Sequence, residues 1–349
     1  MINRNSENPI LSLIVPMYNE SSNIIPFYDR TLAVLQEIGL SWEMICVNDG
    51  SKDDTLLRLA DLHRRDPRVK VIDLSRNFGK ECALTAGLDY ARGQAAIPMD
   101  ADLQDPPEVL GELVVKWQSG YDVVNAVRVT RDGDTRLKKL TAYLFYRLIN
   151  KMVRFELPAD IGDFRLLSRP VLDALDGLKE RRRFMKGIFA WVGFKTTNVY
   201  YTREPRYSGK SKWGYWKLWN FAIEGITSFT QVPLQLASYL GLCVSAGAFF
   251  YGIYIIFKTL VLGNHVAGYP SMMVVILFLG GVQLVAMGVM GEYIGRIYEE
   301  SKERPIYLVR QQLGIGGAGP VPMIYPVDLR MMTGTGRDPV VQEVQAGIS

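Results

Sequence analysis

Between Gly225 and Gly291 the chain runs for 67 residues with one charged side chain, Lys258, while the other 75 Asp, Glu, Lys and Arg residues lie outside that block. A stretch so poor in charge has no face to offer water, so it fits a bilayer far better than the core of a soluble domain. Val232–Leu262 and Pro270–Ile294 each supply more than 20 predominantly apolar positions, enough to cross a hydrocarbon layer roughly 30 Å thick. The connector Gly263–Tyr269 has no Lys or Arg, whereas Lys210, Lys212 and Lys217 precede the first span and Arg296, Lys302, Arg304 and Arg310 follow the second. Positive charge collects on the cytoplasmic side, which places both termini in the cytoplasm and the connector outside. No basic-then-apolar leader opens the sequence, in keeping with a cytoplasmic N-terminal part. Lys258, near the outer end of the first span, can snorkel to the interface. Trp213, Trp216, Trp219 and Phe221 lie in the basic stretch Lys210–Phe229, where aromatic rings suit the headgroup layer.

Outside this block the chain reads as an ordinary soluble protein, with 22% charged residues and a net charge of +4 over 349 residues. That polar remainder excludes a many-span transporter, and the balance calls for no nucleic-acid partner. Three cysteines without a CxxC and only two histidines argue against a disulfide framework or a zinc site. Over the first 130 residues short apolar runs (Ile10–Val15, Trp42–Val47, Val69–Leu74, Ala95–Met99, Tyr121–Val127) alternate with amphipathic stretches near Asn23–Ile38, Asp53–Arg65, Lys80–Ala91 and Pro107–Ser119. This alternation predicts an α/β domain built on a mostly parallel sheet, with functional residues at the carboxyl ends of its strands.

The turns that follow the strands carry the chemistry. Asp100-Ala101-Asp102-Leu103-Gln104-Asp105-Pro106-Pro107 places two carboxylates and an amide directly after a strand, hard oxygen donors suited to Mg²⁺ or Mn²⁺ with substrate phosphates. Pro16–Glu20 and Asn48–Ser51 close two other strands and could hydrogen-bond a base and ribose, although Asn-Asp-Gly is also common turn chemistry. Thr135–Arg154 reads as a basic amphipathic helix, either packed on the sheet or facing anionic lipid or phosphate. The tail beyond Gln311 is rich in Gly and Pro without periodicity and is expected to be disordered. Its Gly314-Ile315-Gly316-Gly317-Ala318-Gly319 matches a dinucleotide fingerprint, but no predicted strand precedes it and no helix follows, so a nicotinamide reading is set aside.

Taken together, Pro16-Met17-Tyr18-Asn19-Glu20, Asn48-Asp49-Gly50-Ser51, Ser75-Arg76-Asn77-Phe78-Gly79-Lys80 and Asp100–Glu108 resemble the family-two inverting glycosyltransferases of GT-A fold. Gly162-Asp163-Phe164-Arg165-Leu166, Arg183-Phe184-Met185-Lys186-Gly187 and the two C-terminal spans narrow the resemblance to polyprenyl-phosphate glycosyltransferases, nearest the bactoprenol glucosyltransferases of O-antigen modification. The resemblance covers about residues 10–310. It implies a GT-A catalytic domain over residues 1–206, an interfacial amphipathic segment over 207–231, two transmembrane helices over 232–298 and a cytoplasmic tail over 299–349.

The same resemblance implies that one hexose, glucose in the nearest branch, passes with inversion from a UDP-sugar to undecaprenyl or another polyprenyl phosphate at the cytoplasmic membrane face. Pro16, Tyr18, Glu20, Asp49 and Asp100 would hold the nucleotide, with Asp49 reading the uracil. Asp100, Asp102 and Gln104 would surround a divalent cation, Mg²⁺ or Mn²⁺. Arg128 and Lys138 would meet the acceptor phosphate, and Arg203, Arg206, Ser208 and Lys212 would close over the pyrophosphate. Asp163 would be either a base or a group orienting the sugar; a purely structural alternative is a turn carboxylate held by Arg165. The absence of a QxxRW motif argues against a polymer-extending synthase, and the retained carboxylates argue against a non-catalytic lipid-binding subunit. Gly280-Gly281, Gly288 and Gly291 on the second span suit close helix contacts, within a chain or in a homo-oligomer.

Overall fold

The computed structural model describes residues 9–129, 161–202 apart from 179, 182 and 184, 230–262 and 268–316, with Arg147 alone between the first two segments. Strands β1 (Leu11–Met17), β2 (Trp42–Asn48), β3 (Val69–Leu74) and β4 (Ala95–Pro98) alternate with helices α1 (Ile24–Ile38), α2 (Thr55–Arg65) and α3 (Lys80–Asp89). A 3₁₀ turn at Pro107–Val109 then leads into α4 (Leu110–Gln118) and β5 (Val123–Arg128). Next come β6 (Ile161–Ser168), α5 (Arg169–Asp176), α6 (Met185–Trp191) and β7 (Thr196–Tyr201), followed by the long helices α7 (Val232–Leu262) and α8 (Tyr269–Ser301) and a last strand, β8 (Val309–Leu313).

The strands form one eight-stranded sheet in the order β7-β5-β6-β4-β1-β2-β3-β8. β1 runs parallel to β2 and β4, and β2 parallel to β3, with Leu11 opposite both Trp42 and Ala95. β6 is antiparallel to β4 and β5, and β8 is antiparallel to β3. The chain leaves β1 for β2 and β3, then returns to place β4 on the other side of β1. The carboxyl ends of β1 and β4 therefore flank a topological switch point, where open α/β sheets bind ligands.

Central strands read as unbroken Val/Ile/Leu runs because both of their faces are covered. Leu11, Leu13, Val15 and Met17 face a core shared with Phe27 and Leu35 of α1, Leu59 of α2 and Leu113 of α4. Ile14, Ile45, Val47 and Ile72 face the opposite core, with Leu84 of α3, Leu172 of α5 and Phe189 of α6. Helix α3 lies hard against the sheet: a Cβ at Gly87 would come within 2.1 Å of the Ile14 side chain. That close approach fixes where α3 begins, and with it the position of Lys80.

Helices α7 and α8 are long and apolar enough to cross a membrane. They pack on each other and leave Leu236, Phe249, Phe257, Met272, Leu284 and Ile294 exposed. Both ends of the hairpin near the sheet are tied down. The Tyr293 hydroxyl donates to the Thr230 carbonyl at 2.8 Å, and the Arg181 guanidinium donates to the Glu300 carbonyl at 2.6 Å.

Two expectations are corrected at the C-terminal end. The region beyond Gln311 does not lose order at that residue: β8 continues through Leu313, with Ile72 opposite Gln312 and Val71 opposite Leu313. The glycine fingerprint does follow a strand, contrary to expectation. That strand is an antiparallel edge whose first glycine is covered by the His63 ring, not the opening of a parallel βαβ unit. The basic helix Thr135–Arg154 apart from Arg147, the aromatic stretch Lys210–Phe229 and the chain from 317 onward lie outside the described residues.

Candidate active site

Three loops at the carboxyl ends of β1, β2 and β3 are knitted together. The Asp49 amide donates to the Met17 carbonyl at 2.9 Å. The Asn19 amide donates to Ser51 Oγ at 2.9 Å, the Lys52 amide to Asn19 Oδ1 at 2.8 Å, and the Glu20 amide to Thr55 Oγ1 at 3.0 Å. Asn19 holds φ at 55°, a left-handed conformation that Asn tolerates better than most residues. Glu20 accepts from Asn23 Nδ2 at 2.6 Å. Pro16 and Tyr18 bracket the end of β1, so the predicted nucleotide residues of the first two motifs do share one rim.

Asp49 is buried, and its carboxylate accepts the backbone N–H of Phe78 at 2.7 Å and of Gly79 at 3.0 Å. Burial raises its pKa, and the two amides and Arg76 only partly offset that. Gly50 lets the β3 loop come this close: a Cβ there would lie 2.4 Å from the Arg76 backbone. The Asn-Asp-Gly turn thus anchors the Ser75–Lys80 segment, a role the sequence reading did not assign it.

The first carboxylate after β4 meets the end of the β3 loop through Lys80. Lys80, the first residue of α3, extends its ammonium to Asp100 Oδ1 at 2.8 Å and to Asp163 Oδ2 at 2.7 Å. Burial works against its charge, but the two carboxylates prevail and hold it well above the usual lysine range. Sequence carried a usable signal: a lysine opening a helix after a strand-end turn, with an acid, Asp100, at another strand end. Asp102 is buried, and its Oδ1 accepts the Gln104 backbone N–H at 3.1 Å. Leu103 between them takes φ of 58° and buries its side chain.

Asp163 is not a turn carboxylate held by Arg165. It lies within β6 and its ion pair is with Lys80. Arg165 points into the core, where its Nη2 donates to the Gly162 carbonyl at 2.7 Å and its guanidinium stacks on Phe189 at 4.3 Å. Burial pushes its pKa down to about 10 against the pull of Asp163 and Glu81. Arg128, at the end of β5, belongs to a cluster that sequence did not reveal. The Tyr201 hydroxyl donates to buried Asp105, Arg128 Nε donates to the Tyr201 oxygen at 3.2 Å, and Arg128 lies 3.7 Å from Asp105. The Arg128 guanidinium also overlies Gly162, where a Cβ would sit 3.0 Å from it. Arg128 and Asp163 therefore border the same corner of the site. Lys138, Arg203, Arg206, Ser208 and Lys212 lie outside the described residues.

Among the described residues no three His, Cys, Asp or Glu side chains converge closely enough to hold an ion alone. The donor set still fits a divalent cation that keeps part of its shell for substrate phosphates, as Mg²⁺ does when bound through one or two carboxylates. Lys80 places one positive charge between Asp100 and Asp163.

The chain matches known proteins over most of its length. Residues 12–176 match the family described as Glycosyl transferase family 2, and residues 232–297 match the GtrB C-terminal hairpin. An uncharacterized glycosyltransferase of Synechocystis sp. is 53% identical over 305 residues, covering 87% of this chain and 96% of that protein. The bactoprenol glucosyl transferase of Shigella phage SfV is 51% identical over 303 residues, covering 86% and 98%. A prophage bactoprenol glucosyl transferase homolog of Escherichia coli is 49% identical over 302 residues, covering 86% and 98%.

Proposed function

We propose that this chain, which belongs to glycosyl transferase family 2, transfers a single hexose, glucose, from a UDP-sugar to a polyprenyl phosphate at the cytoplasmic face of a membrane. The observation that carries this reading is the convergence of Asp100, Asp163 and Lys80 at a switch-point rim, in a chain whose two apolar helices are tied to the same domain. The names of the bactoprenol glucosyl transferases at about half identity support glucose and the lipid acceptor.

In this reading the Asp49 turn and the Pro16–Glu20 loop bind the uridine, and Asp100 and Asp102 face the diphosphate. A divalent cation held by Asp100, Asp102 and Gln104 would neutralise the charge that grows on the departing diphosphate. The nucleophile is an already anionic phosphate oxygen, so it needs no strong base. Asp163, fixed by Lys80, orients the sugar hydroxyls or the acceptor, and Arg128 at the same corner attracts the acceptor phosphate. Attack opposite the leaving group forms the new C1–O bond as the old one breaks, giving a β-linked lipid phosphate from an α-linked donor. Lys138 and the Arg203–Lys212 segment are assigned to the acceptor and pyrophosphate by resemblance alone.

Calorimetry of the full chain with Mn²⁺ and UDP-glucose, UDP-N-acetylglucosamine, UDP-galactose or GDP-mannose tests the donor. The reading predicts tightest binding of UDP-glucose. Preference for GDP-mannose would overturn the uridine assignment.

A further inference from the structure

Lys80 makes three short contacts with two acids from separate elements: both oxygens of Asp100, at 2.8 and 2.9 Å, and Asp163 Oδ2 at 2.7 Å. Nothing about an α3 helix cap requires this. The chain at Gly79 has no side chain to cap with, and Lys80 reaches away from the helix across the switch point. Its side chain is 43% exposed along its length, while its ammonium is desolvated where it lies between Asp100 and Asp163. Two carboxylates facing one another would repel, and each would capture a stray cation. One ammonium between them relieves both problems before substrate arrives.

We propose that Lys80 is a positioning residue that stands in for the divalent cation in the donor-free enzyme, and that it yields Asp100 only when cation and nucleoside diphosphate arrive together. This rests on the transferase reading above. An ammonium at Asp100 competes directly with a divalent ion for the same oxygens, so the ion alone is held weakly. A diphosphate supplies the missing ligands and a negative group for the displaced ammonium, so cation and nucleotide bind cooperatively. Lys80 keeps its second contact, Asp163, throughout, and so holds that carboxylate at a fixed distance from α3 during the exchange.

The test is Mn²⁺ binding to the full chain without nucleotide, followed by paramagnetic resonance or calorimetry and repeated with UDP present. In Lys80→Met the competitor is gone and both acids remain, so Mn²⁺ alone should bind at least about tenfold more tightly than to the parent. The strengthening of Mn²⁺ binding by UDP should shrink correspondingly. Lys80→Arg, which keeps the charge, should behave like the parent. Equal Mn²⁺ affinity in Lys80→Met and the parent would overturn the inference, provided UDP with Mn²⁺ binds both. Failure of UDP with Mn²⁺ to bind the parent would instead overturn the transferase reading. Should Lys80→Met not fold, Lys80→Gln carries the same expectation. If neither folds, Lys80 serves the fold and the inference falls.

Discussion

Both oxygens of Asp49 accept backbone hydrogens from the loop after β3, so a substitution there acts on the fold and on the proposed uracil contact at once. Asp49→Ala removes two hydrogen bonds to a buried carboxylate and should cost about 1–3 kcal/mol of stability, visible as a lowered Tm. It should also weaken UDP binding measured well below that Tm. A lowered Tm with unchanged UDP affinity would make Asp49 a loop anchor only. The acids around Lys80 separate differently. Asp102→Asn should abolish the cation-dependent part of UDP binding together with turnover, since a neutral amide cannot replace the carboxylate's charge. Asp163→Asn should keep cation-dependent UDP binding and lose turnover by roughly 10²–10⁴-fold. The reverse pattern in calorimetry would show that the two roles are exchanged. A pH–rate profile for Asp163→Asn that parallels the parent would identify Asp163 as an orienting group and not a base.

Among the elements, α3 carries two ionisable ends with opposite consequences. Lys80 at its start faces the site, and Asp89 at its end accepts the Tyr307 hydroxyl at 2.7 Å. Burial lifts the Asp89 pKa to about 6, against the hydrogen bond from Tyr307 and the charge of Arg183. A carboxyl whose folded pKa is raised stabilises most below its unfolded pKa, and that contribution is lost as pH climbs from about 4 through about 6. Asp89→Asn should therefore raise the Tm at pH 7, by at most about 3 kcal/mol of stability, with the difference from the parent vanishing below about pH 4. A difference that instead grows in acid would reverse the assignment. On the opposite side of the sheet, Tyr201→Phe deprives buried Asp105 of a donor and should lower stability by about 1–2 kcal/mol. It should also disturb Arg128.

The elements also show what was legible beforehand. Strands β1 to β4 were readable because both faces are covered, leaving apolar runs bounded by polar turns. β6 was not, since Asp163 and Arg165 interrupt Ile161–Ser168 on its way past the site and the core. β8 (Val309–Leu313) is an edge strand with Arg310, Gln311 and Gln312 at its centre, which no hydrophobic period marks. In the site, Asp49, Asp100 and Asp102 were marked by their place in turns after strands, whereas Asp163, inside β6, was marked only by the resemblance. Lys80 had no assigned role and the tie of Arg128 to Asp105 and Tyr201 was not legible, because both join residues between 20 and 96 positions apart through contacts that only the fold creates.

For the whole molecule, the hairpin and the catalytic sheet share one end. Thr230 and Tyr293 meet where α7 enters and α8 leaves, Arg181 holds Glu300, and the chain returns to the sheet as β8 soon after α8. The Arg181–Glu300 contact and β8 thus hold the apolar hairpin to the sheet domain that carries the proposed site. A Cys introduced at Asn264 should label with an impermeant thiol reagent in intact cells and one at Asn5 should not; the opposite labelling would invert the topology. The central claim is tested most directly by supplying the full chain, in vesicles, with radiolabelled UDP-glucose, Mn²⁺ and undecaprenyl phosphate, and separating the products by thin-layer chromatography. The account predicts one lipid-linked product carrying a single glucose released by mild acid, absent in Asp102→Asn. Label that stays in the nucleotide sugar, or that enters a polymer, would contradict it.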